Sequence, residues 1–281
     1  MLKVTGIPMD ALQAKEAQLQ EELRKNSSLI VAYSGGVDSA YLAYAAYQAL
    51  GERMLAVTAL SASYSTRDRQ MAEACASAMQ FPHEFIDTEE VSNPQYRANN
   101  PNRCFFCKDE LFKKLGVMAE RRGFAAVAYG VNLDDRGDWR PGQRAAQNHK
   151  VLTPLLDAGF TKADIRGLAH RAGLPVWDRP ASACLASRIA YGLEVTPERL
   201  TVVEKAEDAI RELGFQQFRV RHHGNLARLE ISPEELPRAL QPEMIQKFVS
   251  ALKSLGFAYV TLDLEGYRRG SLNTGITNLP R

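Results

Sequence analysis

The chain has 281 residues, 45% of them hydrophobic and 24% charged, with a formal net charge of +2. That length suits one large globular domain or two ordinary ones, each with a buried core. So small a net charge, without a Lys/Arg block, argues against a nucleic-acid partner. No apolar run approaches the roughly 20 residues of a membrane helix, and Met1-Leu2-Lys3 leads to Asp10, Lys15 and Glu16 rather than to a signal-peptide core. The expectation is a cytoplasmic protein without membrane contact. Its four cysteines are then thiols, metal ligands or nucleophiles before they are disulfides.

Leu12, Leu19 and Leu23 recur at helical spacing between Asp10 and Arg24 and predict an amphipathic opening helix. The apolar run Leu29–Tyr33 predicts a buried strand, and Ser39–Leu50, after a glycine turn, a helix. Met54–Leu60, His83–Ile86 and Ala125–Gly130 read as further strands, with helices over Arg67–Met79 and Lys108–Arg122. Strands and helices alternating through short links call for an α/β fold, a parallel sheet covered by helices on both faces. Such sheets bind ligands beyond the carboxyl ends of their strands, where Tyr33, Leu60 and Gly130 fall. Ser92–Arg103 and Leu133–Lys150 read as long irregular stretches, of the kind that serve as functional loops or lids.

After about Leu193 the pattern changes. Thr196-Pro197-Glu198 carries an N-cap, a proline at the first helical position and an acid in the first turn, and this helix runs to Leu213. Strands over Gln217–His222 and Leu226–Ile231, a helix from Pro242 to Leu255 and a strand over Ala258–Leu264 complete an α-β-β-α-β series. The expected division is a larger α/β domain, 1–193, and a smaller α+β domain, 194–281.

Ser34-Gly35-Gly36-Val37-Asp38-Ser39 follows an apolar strand and opens a helix. Two glycines let backbone N–H groups approach phosphate oxygens, and the helix N-terminus adds the positive end of its dipole. A plain glycine turn with an Asp-Ser cap is the bland alternative. The whole string in this strand–helix setting, without the lysine of a Walker loop, favours a nucleotide.

Cys104-Phe105-Phe106-Cys107 is a C-x₂-C pair able to clasp one soft metal centre. With no second such pair, a closed four-cysteine zinc site is not available. Cys75 lies in a predicted amphipathic helix and reads as a small buried hydrophobe. Cys184 sits in an irregular stretch between Arg179 and Arg188, and neighbouring cations favour the reactive thiolate. Three cysteines with one ligand position open suit an iron–sulfur cluster that carries an extra sulfide.

In the hairpin closed by Gly224-Asn225, Arg221 falls opposite Arg228 and Arg219 opposite Glu230, with Val220, Leu229 and Ile231 turned to the apolar side. Like charges directly opposite destabilise a strand pair, so an anion between the arginines is expected: a substrate or AMP phosphate, or, more blandly, solvent around a charged face. Glu207 stands on the apolar row of its helix and must be at the core edge, paired with an arginine, or a ligand. Lys108, next to Cys107, is either a phosphate-neutralising cation or an ordinary surface lysine.

Taken together, these segments resemble the LarE family of PP-loop ATP pyrophosphatases over nearly the whole chain. The likeness runs through Ser34–Ser39, the Asp134-Asp135…Asp138…Arg140-Pro141-Gly142 loop, Ser182-Ala183-Cys184 with Ser187-Arg188, and Arg219-Val220-Arg221…Ala227-Arg228-Leu229-Glu230. It implies a PP-loop, adenine nucleotide alpha hydrolase-like (Rossmann-like) fold. It also implies a sulfur transferase that adenylates the carboxylates of pyridinium-3,5-biscarboxylic acid mononucleotide with ATP and converts them to thiocarboxylates. Ser34, Gly35, Gly36, Asp38 and Ser39, with Gly130, would hold ATP and Mg²⁺. Cys184, Lys108, Ser187 and Arg188 would form the catalytic group, Arg219, Arg221 and Arg228 would bind the substrate phosphate, and Glu207 and Glu230 would ligate a divalent metal. Some members sacrifice a single cysteine, matched here by Cys184; others carry sulfur on a [4Fe-4S] cluster held by three. Cys104 and Cys107 beside Cys184 point to the cluster type, with sacrifice of Cys184 as the alternative. The resemblance further implies a homo-oligomer assembled through the C-terminal domain.

Three rivals remain on the residues alone. A PP-loop tRNA thiolase would want a larger basic surface. An ammonia-dependent PP-loop synthetase would leave three cysteines without purpose. A non-catalytic nucleotide sensor would not need Asp38, Ser39 and two carboxylates near a candidate nucleophile.

Overall fold

The computed structural model describes residues 9–136, 141–180, 183–268 and 270–272. The chain divides into two compact units, Met1–Glu90 with Cys104–Ser182, and Val91–Arg103 with Ala183–Arg281. This division departs from 1–193 and 194–281: it falls at Ser182/Ala183 and gives the segment from Val91 to Arg103 to the second unit. No helix among the described residues is long and apolar enough to cross a membrane.

The first unit holds α1 (Met9–Arg24), β1 (Leu29–Ala32), α2 (Val37–Leu50), β2 (Met54–Leu60), α3 (Thr66–Met79), β3 (His83–Asp87), α4 (Arg103–Arg122, from Cys104 on), β4 (Ala126–Tyr129), α5 (Pro141–Asn148) and α6 (Lys162–Arg171). Its strands form one parallel sheet in the order β3-β2-β1-β4. The central strand β1 is apolar throughout because helices cover both of its faces. Leu29 and Val31 enter one core with Leu19, Leu23, Tyr41 and Leu42, while Ile30 enters the other with Val57, Phe112, Leu115 and Val127. Full burial of a side chain such as Ile30 is worth about 1.5–3 kcal/mol. The switch of β1 and β4 into their following loops places Tyr33 and Gly130 together at the carboxyl edge of this sheet.

Two stretches expected to be irregular are partly ordered. Leu133–Lys150 contains α5, which forms because Ala145 and Ala146 are buried on one helical face. Ser92–Arg103 includes a short helix, Pro94–Arg97, started by Asn93 and Pro94. Asn99, with φ of 53°, then donates through Nδ2 to the carbonyls of Ile189, Ala190 and Leu193. Those three bonds explain why the segment belongs to the second unit.

The rest of the second unit is α7 (Pro197–Glu212), β5 (Phe218–His223), β6 (Leu226–Ile231), α8 (Pro242–Ser254) and β7 (Tyr259–Leu262). Thr196 caps α7 by accepting the Arg199 N–H at 3.3 Å. β5 and β6 are antiparallel, and β7 joins β6 in parallel. Arg221 pairs with Arg228 and Arg219 with Glu230, the register expected from a Gly224-Asn225 turn. Phe218, Val220, Ala227, Leu229 and Ile231 pack on Ala206, Ile210, Phe248 and Leu252, so the other face of the hairpin carries the charges.

Candidate functional site

In the first unit, the turn from β1 into α2 carries Ser34, Gly35, Gly36, Asp38 and Ser39, the residues expected to hold a nucleotide apart from Gly130. Gly35 has φ of +70°, and a Cβ there would stand 3.0 Å from Ala72 Cβ, so glycine is required on both counts. Ser39 is buried, donates to the Gly36 carbonyl at 3.0 Å and accepts the Ser34 N–H at 3.1 Å. Gly130 closes the arrangement from β4: a Cβ would stand 2.8 Å from Ser39 N and 2.9 Å from the Asp38 carbonyl carbon. The strand end and the helix start can be this close only without a side chain. A cleft of about 370 Å³ opens at the carboxyl ends of β2 and β3, lined by Leu60, Ser61, Tyr64, Ser65, Arg69 and Thr88 among others.

Asp38 is the charged member of this loop. Its Oδ2 accepts Lys162 Nζ at 2.5 Å, while its buried Oδ1 has no hydrogen-bond partner. Burial pushes the Asp38 carboxyl above its ordinary range; Lys162 pulls it down, and Asp135 pushes it up again. Lys162 was not legible as a site residue, although it carries a signal. It opens α6, where the helix dipole disfavours a cation, so its charge needs another use. The Lys162 N–H donates to Asp134 at 2.8 Å, and Asn132 and Asp135 cap the turn before it. Asp138 and Arg140, singled out in the same loop, lie outside the described residues.

Cys104 and Cys107 do not lie in a loop. α4 begins at Arg103, so the two thiols sit one turn apart at its N-terminal end, Cys104 exposed and Cys107 half-buried. The helix starts early because Phe105 packs against the core beneath it. Lys108 follows, its stem along Gly142, where a Cβ would come within 2.5 Å of Cδ, and its ammonium 4.6 Å from the Tyr129 ring centre. Cys75 is buried, as expected of a structural thiol, and burial pushes its pKa up.

In the second unit, Cys184 is half-buried and caps a single turn of 3₁₀ helix, Leu185–Arg188. Arg188 folds back under that turn. Its Nη1 donates to the carbonyls of Ala183 and Cys184, the latter at 3.1 Å, and to Ser187 Oγ at 3.0 Å. Glu207 holds the guanidinium from behind, accepting Nε at 2.9 Å and Nη2 at 3.2 Å. Arg221 Nη1 donates to the Ser187 carbonyl at 2.9 Å and is held in turn by Glu230, which accepts Nε at 3.0 Å and Nη2 at 2.8 Å. Two buried Arg–Glu pairs thus grip the backbone on either side of the Cys184 turn. Ser182, which precedes it, lies outside the described residues.

This geometry changes the expected roles of four residues. The anion between Arg221 and Arg228 is Glu230: fully buried, it accepts Arg228 Nη2 at 2.9 Å and Ser271 Oγ at 2.6 Å as well as Arg221. Glu207 takes the arginine-paired alternative. Both carboxylates accept hydrogen bonds from guanidinium groups. Among the described residues, no group of three or more His, Cys, Asp or Glu side chains is placed to hold a metal ion. Arg219 lies 5.1 Å from the Tyr267 ring centre, and burial, then Arg188, lowers its pKa.

Comparison with known proteins finds one family match in the N-terminal part of the chain and relatives along nearly all of it. The sequence model of the NAD synthase family matches residues 11–130. An uncharacterised protein of Synechocystis sp. is 42% identical over 95% of this chain and 99% of its own length. A pyridinium-3,5-bisthiocarboxylic acid mononucleotide synthase of Lactiplantibacillus plantarum is 33% identical over 96% of this chain and 97% of its own. An uncharacterised protein of Methanocaldococcus jannaschii is 29% identical over 88% of this chain and 94% of its own.

Proposed function

Since the chain belongs to the LarE family, that of the pyridinium-3,5-bisthiocarboxylic acid mononucleotide synthases, we propose that this enzyme uses ATP to replace carboxylate oxygen by sulfur on a pyridinium mononucleotide. The observation that carries the reading is the likeness to that synthase across 96% of the chain. The nucleotide-type loop and the scaffolded Cys184 turn supply the two chemistries it requires. A substrate carboxylate oxygen attacks the α-phosphorus of ATP, the α–β bond breaks, and pyrophosphate leaves. The Ser34–Ser39 loop receives that pyrophosphate on backbone N–H groups. Mg²⁺ is usually held by one or two carboxylates together with phosphate oxygens, and the unpartnered Oδ1 of Asp38 fits the protein's share.

The acyl adenylate is then open to a sulfur nucleophile, with AMP as leaving group. In the sacrificial route, Cys184 Sγ forms a thioester with the acyl carbon, and β-elimination leaves thiocarboxylate and dehydroalanine at position 184. In the cluster route, a [4Fe-4S] cluster would supply an extra sulfide. The pair Cys104 and Cys107 at the start of α4 fits two of its ligands by spacing and by the exposure of Cys104. Cys184 as third ligand is an expectation from sequence. A homo-oligomer built through the second unit accompanies this reading and is measurable by light scattering.

Anaerobic purification followed by assay of iron, acid-labile sulfide and visible absorption tests the carrier. About four irons per chain, lost in Cys104→Ala, Cys107→Ala and Cys184→Ala, is the result expected for the cluster. Iron-free protein after reconstitution, with Cys184 lighter by one H₂S after turnover, moves the reading to sacrifice. ATP-dependent release of pyrophosphate that ignores the pyridinium dicarboxylate overturns the substrate assignment.

A further inference from the structure

An anion-binding loop must turn its N–H groups toward the ligand, so its carbonyls must point elsewhere and be satisfied there. The first turn of α2 contributes N–H groups that have no intrahelical acceptor. In this loop three consecutive carbonyls are satisfied, two of them by side chains from outside it. The Gly36 carbonyl accepts Ser39 Oγ at 3.0 Å and the Ala40 N–H at 2.9 Å. The Ser34 carbonyl lies 3.2 Å from the Tyr64 hydroxyl. The Gly35 carbonyl accepts Arg179 Nη1 at 3.3 Å, and the left-handed φ of Gly35 turns that peptide to the rear.

Arg179 is itself fixed at several points. Its side chain is only 13% exposed, and Nη2 forms an ion pair with Asp68 in the first turn of α3. The Arg179 carbonyl accepts Arg166 Nη2 at 2.9 Å, which ties the residue to α6. The Tyr64 hydroxyl also lies 3.2 Å from the Asp68 carbonyl, so the donors behind Ser34 and Gly35 converge on the start of α3. A guanidinium serves here better than an ammonium, because its planar fork donates in two directions at once.

We propose that Arg179, oriented by Asp68 and assisted by Tyr64, is a positioning residue that preorganises the Ser34–Ser39 loop for the pyrophosphate portion of a nucleotide. It acts through the loop backbone, and the inference rests on the nucleotide reading given above. Without the tie, the Gly35 carbonyl rotates toward the concavity, where its partial negative charge opposes phosphate.

Calorimetric titration of the full-length protein with α,β-methylene-ATP, inorganic pyrophosphate and AMP tests this. Arg179→Met is expected to weaken both pyrophosphate-bearing ligands about tenfold, the scale of one lost hydrogen bond to a charged group, and to leave AMP unchanged. Arg179→Lys should recover part of the loss, since an ammonium still donates to the Gly35 carbonyl. Asp68→Asn and Tyr64→Phe should each produce a smaller loss of the same selectivity, and they carry the test if Arg179→Met does not fold. Undiminished pyrophosphate affinity in the folded variants overturns the proposal, as does a parallel loss of AMP, which marks general structural damage. Wild-type protein that binds neither ATP analogue nor pyrophosphate overturns the nucleotide reading itself, a result visible before any variant is made.

Discussion

Replacing Glu207 by Gln removes one negative charge and almost no volume from beneath the Cys184 turn. Glu207 and Arg188 are 7% and 4% exposed, so solvent screens their two hydrogen bonds little. Hydrogen bonds to charged groups contribute about 1.5–3 kcal/mol each. The amide keeps one acceptor and sets its NH₂ against a guanidinium donor, so a loss of about 3 kcal/mol follows, at the low end for breaking a buried pair on one side. In a domain of ordinary size, where 1 kcal/mol shifts Tm by about 4–8 °C, the second unit should melt roughly 12–24 °C lower. Calorimetry of Glu207→Gln reads that shift, and the alkylation rate of Cys184 reports whether the turn has moved. The double variant Arg188→Met/Glu207→Leu separates packing from positioning. Removing both charges restores most of the Tm but leaves the Ala183 and Cys184 carbonyls unheld, so sulfur transfer should stay lost. A Glu207→Gln protein that melts within about 2 °C of wild type, or a double variant that regains transfer together with its Tm, would refute the reasoning.

Gly130→Ala forces a Cβ to within 2.8 Å of Ser39 N. Overpacking of this kind costs about 1–3 kcal/mol, and ATP binding should fall much further than Tm does; calorimetric titration that finds wild-type affinity contradicts the close approach. Burial depresses the pKa of His83 in the first unit and of His222 in the second. Their neutral forms therefore favour the folded state, a contribution complete above about pH 6.5 and lost as the pH falls through the depressed folded values. Tm measured from pH 7 to pH 5 should fall, and His83→Gln should flatten the slope of the first unit's transition; an unchanged slope would remove His83 from the account. Arg219→Gln should raise the KM for the pyridinium mononucleotide without changing ATP affinity. Burial and Arg188 both work against the charge of Arg219, which an arriving phosphate would relieve. A KM that stays put in steady-state kinetics tells against a phosphate at Arg219.

The legible parts of this molecule are those where local chemistry has few alternatives. The short apolar run at Leu29, ended by a glycine turn, reads as a doubly covered strand, and the Gly224-Asn225 turn dictates which side chains oppose each other across β5 and β6. Lys162 and Arg179 were not legible as loop residues because each reaches the loop from far along the chain, and nothing local in sequence marks a guanidinium that ties a distant carbonyl. α4 starts at Arg103 rather than at the expected Lys108, because Phe105 packs on a core that the local sequence does not reveal. Asn99 shows the same limit: one buried amide assigns a whole segment to the second unit through three long-range carbonyls.

The arginine face of the second unit shows how a correct register can still lead to an incomplete inference. Arg221 opposite Arg228 does require an anion, and the hairpin supplies one two residues further along β6 in Glu230. The same logic operates at Arg188, whose charge is met by Glu207 from α7. In both cases the carboxylate lies behind the guanidinium, and each arginine also donates to a backbone carbonyl of the Cys184 turn and to a serine hydroxyl. A surface built only to attract phosphate would leave its guanidinium groups facing solvent. Burying two of them on carboxylates costs desolvation that the ion pairs only partly offset, an arrangement suited to fixing a short turn. The charge pattern that suggested an anion site therefore has a second use, holding the backbone of Cys184 in one conformation.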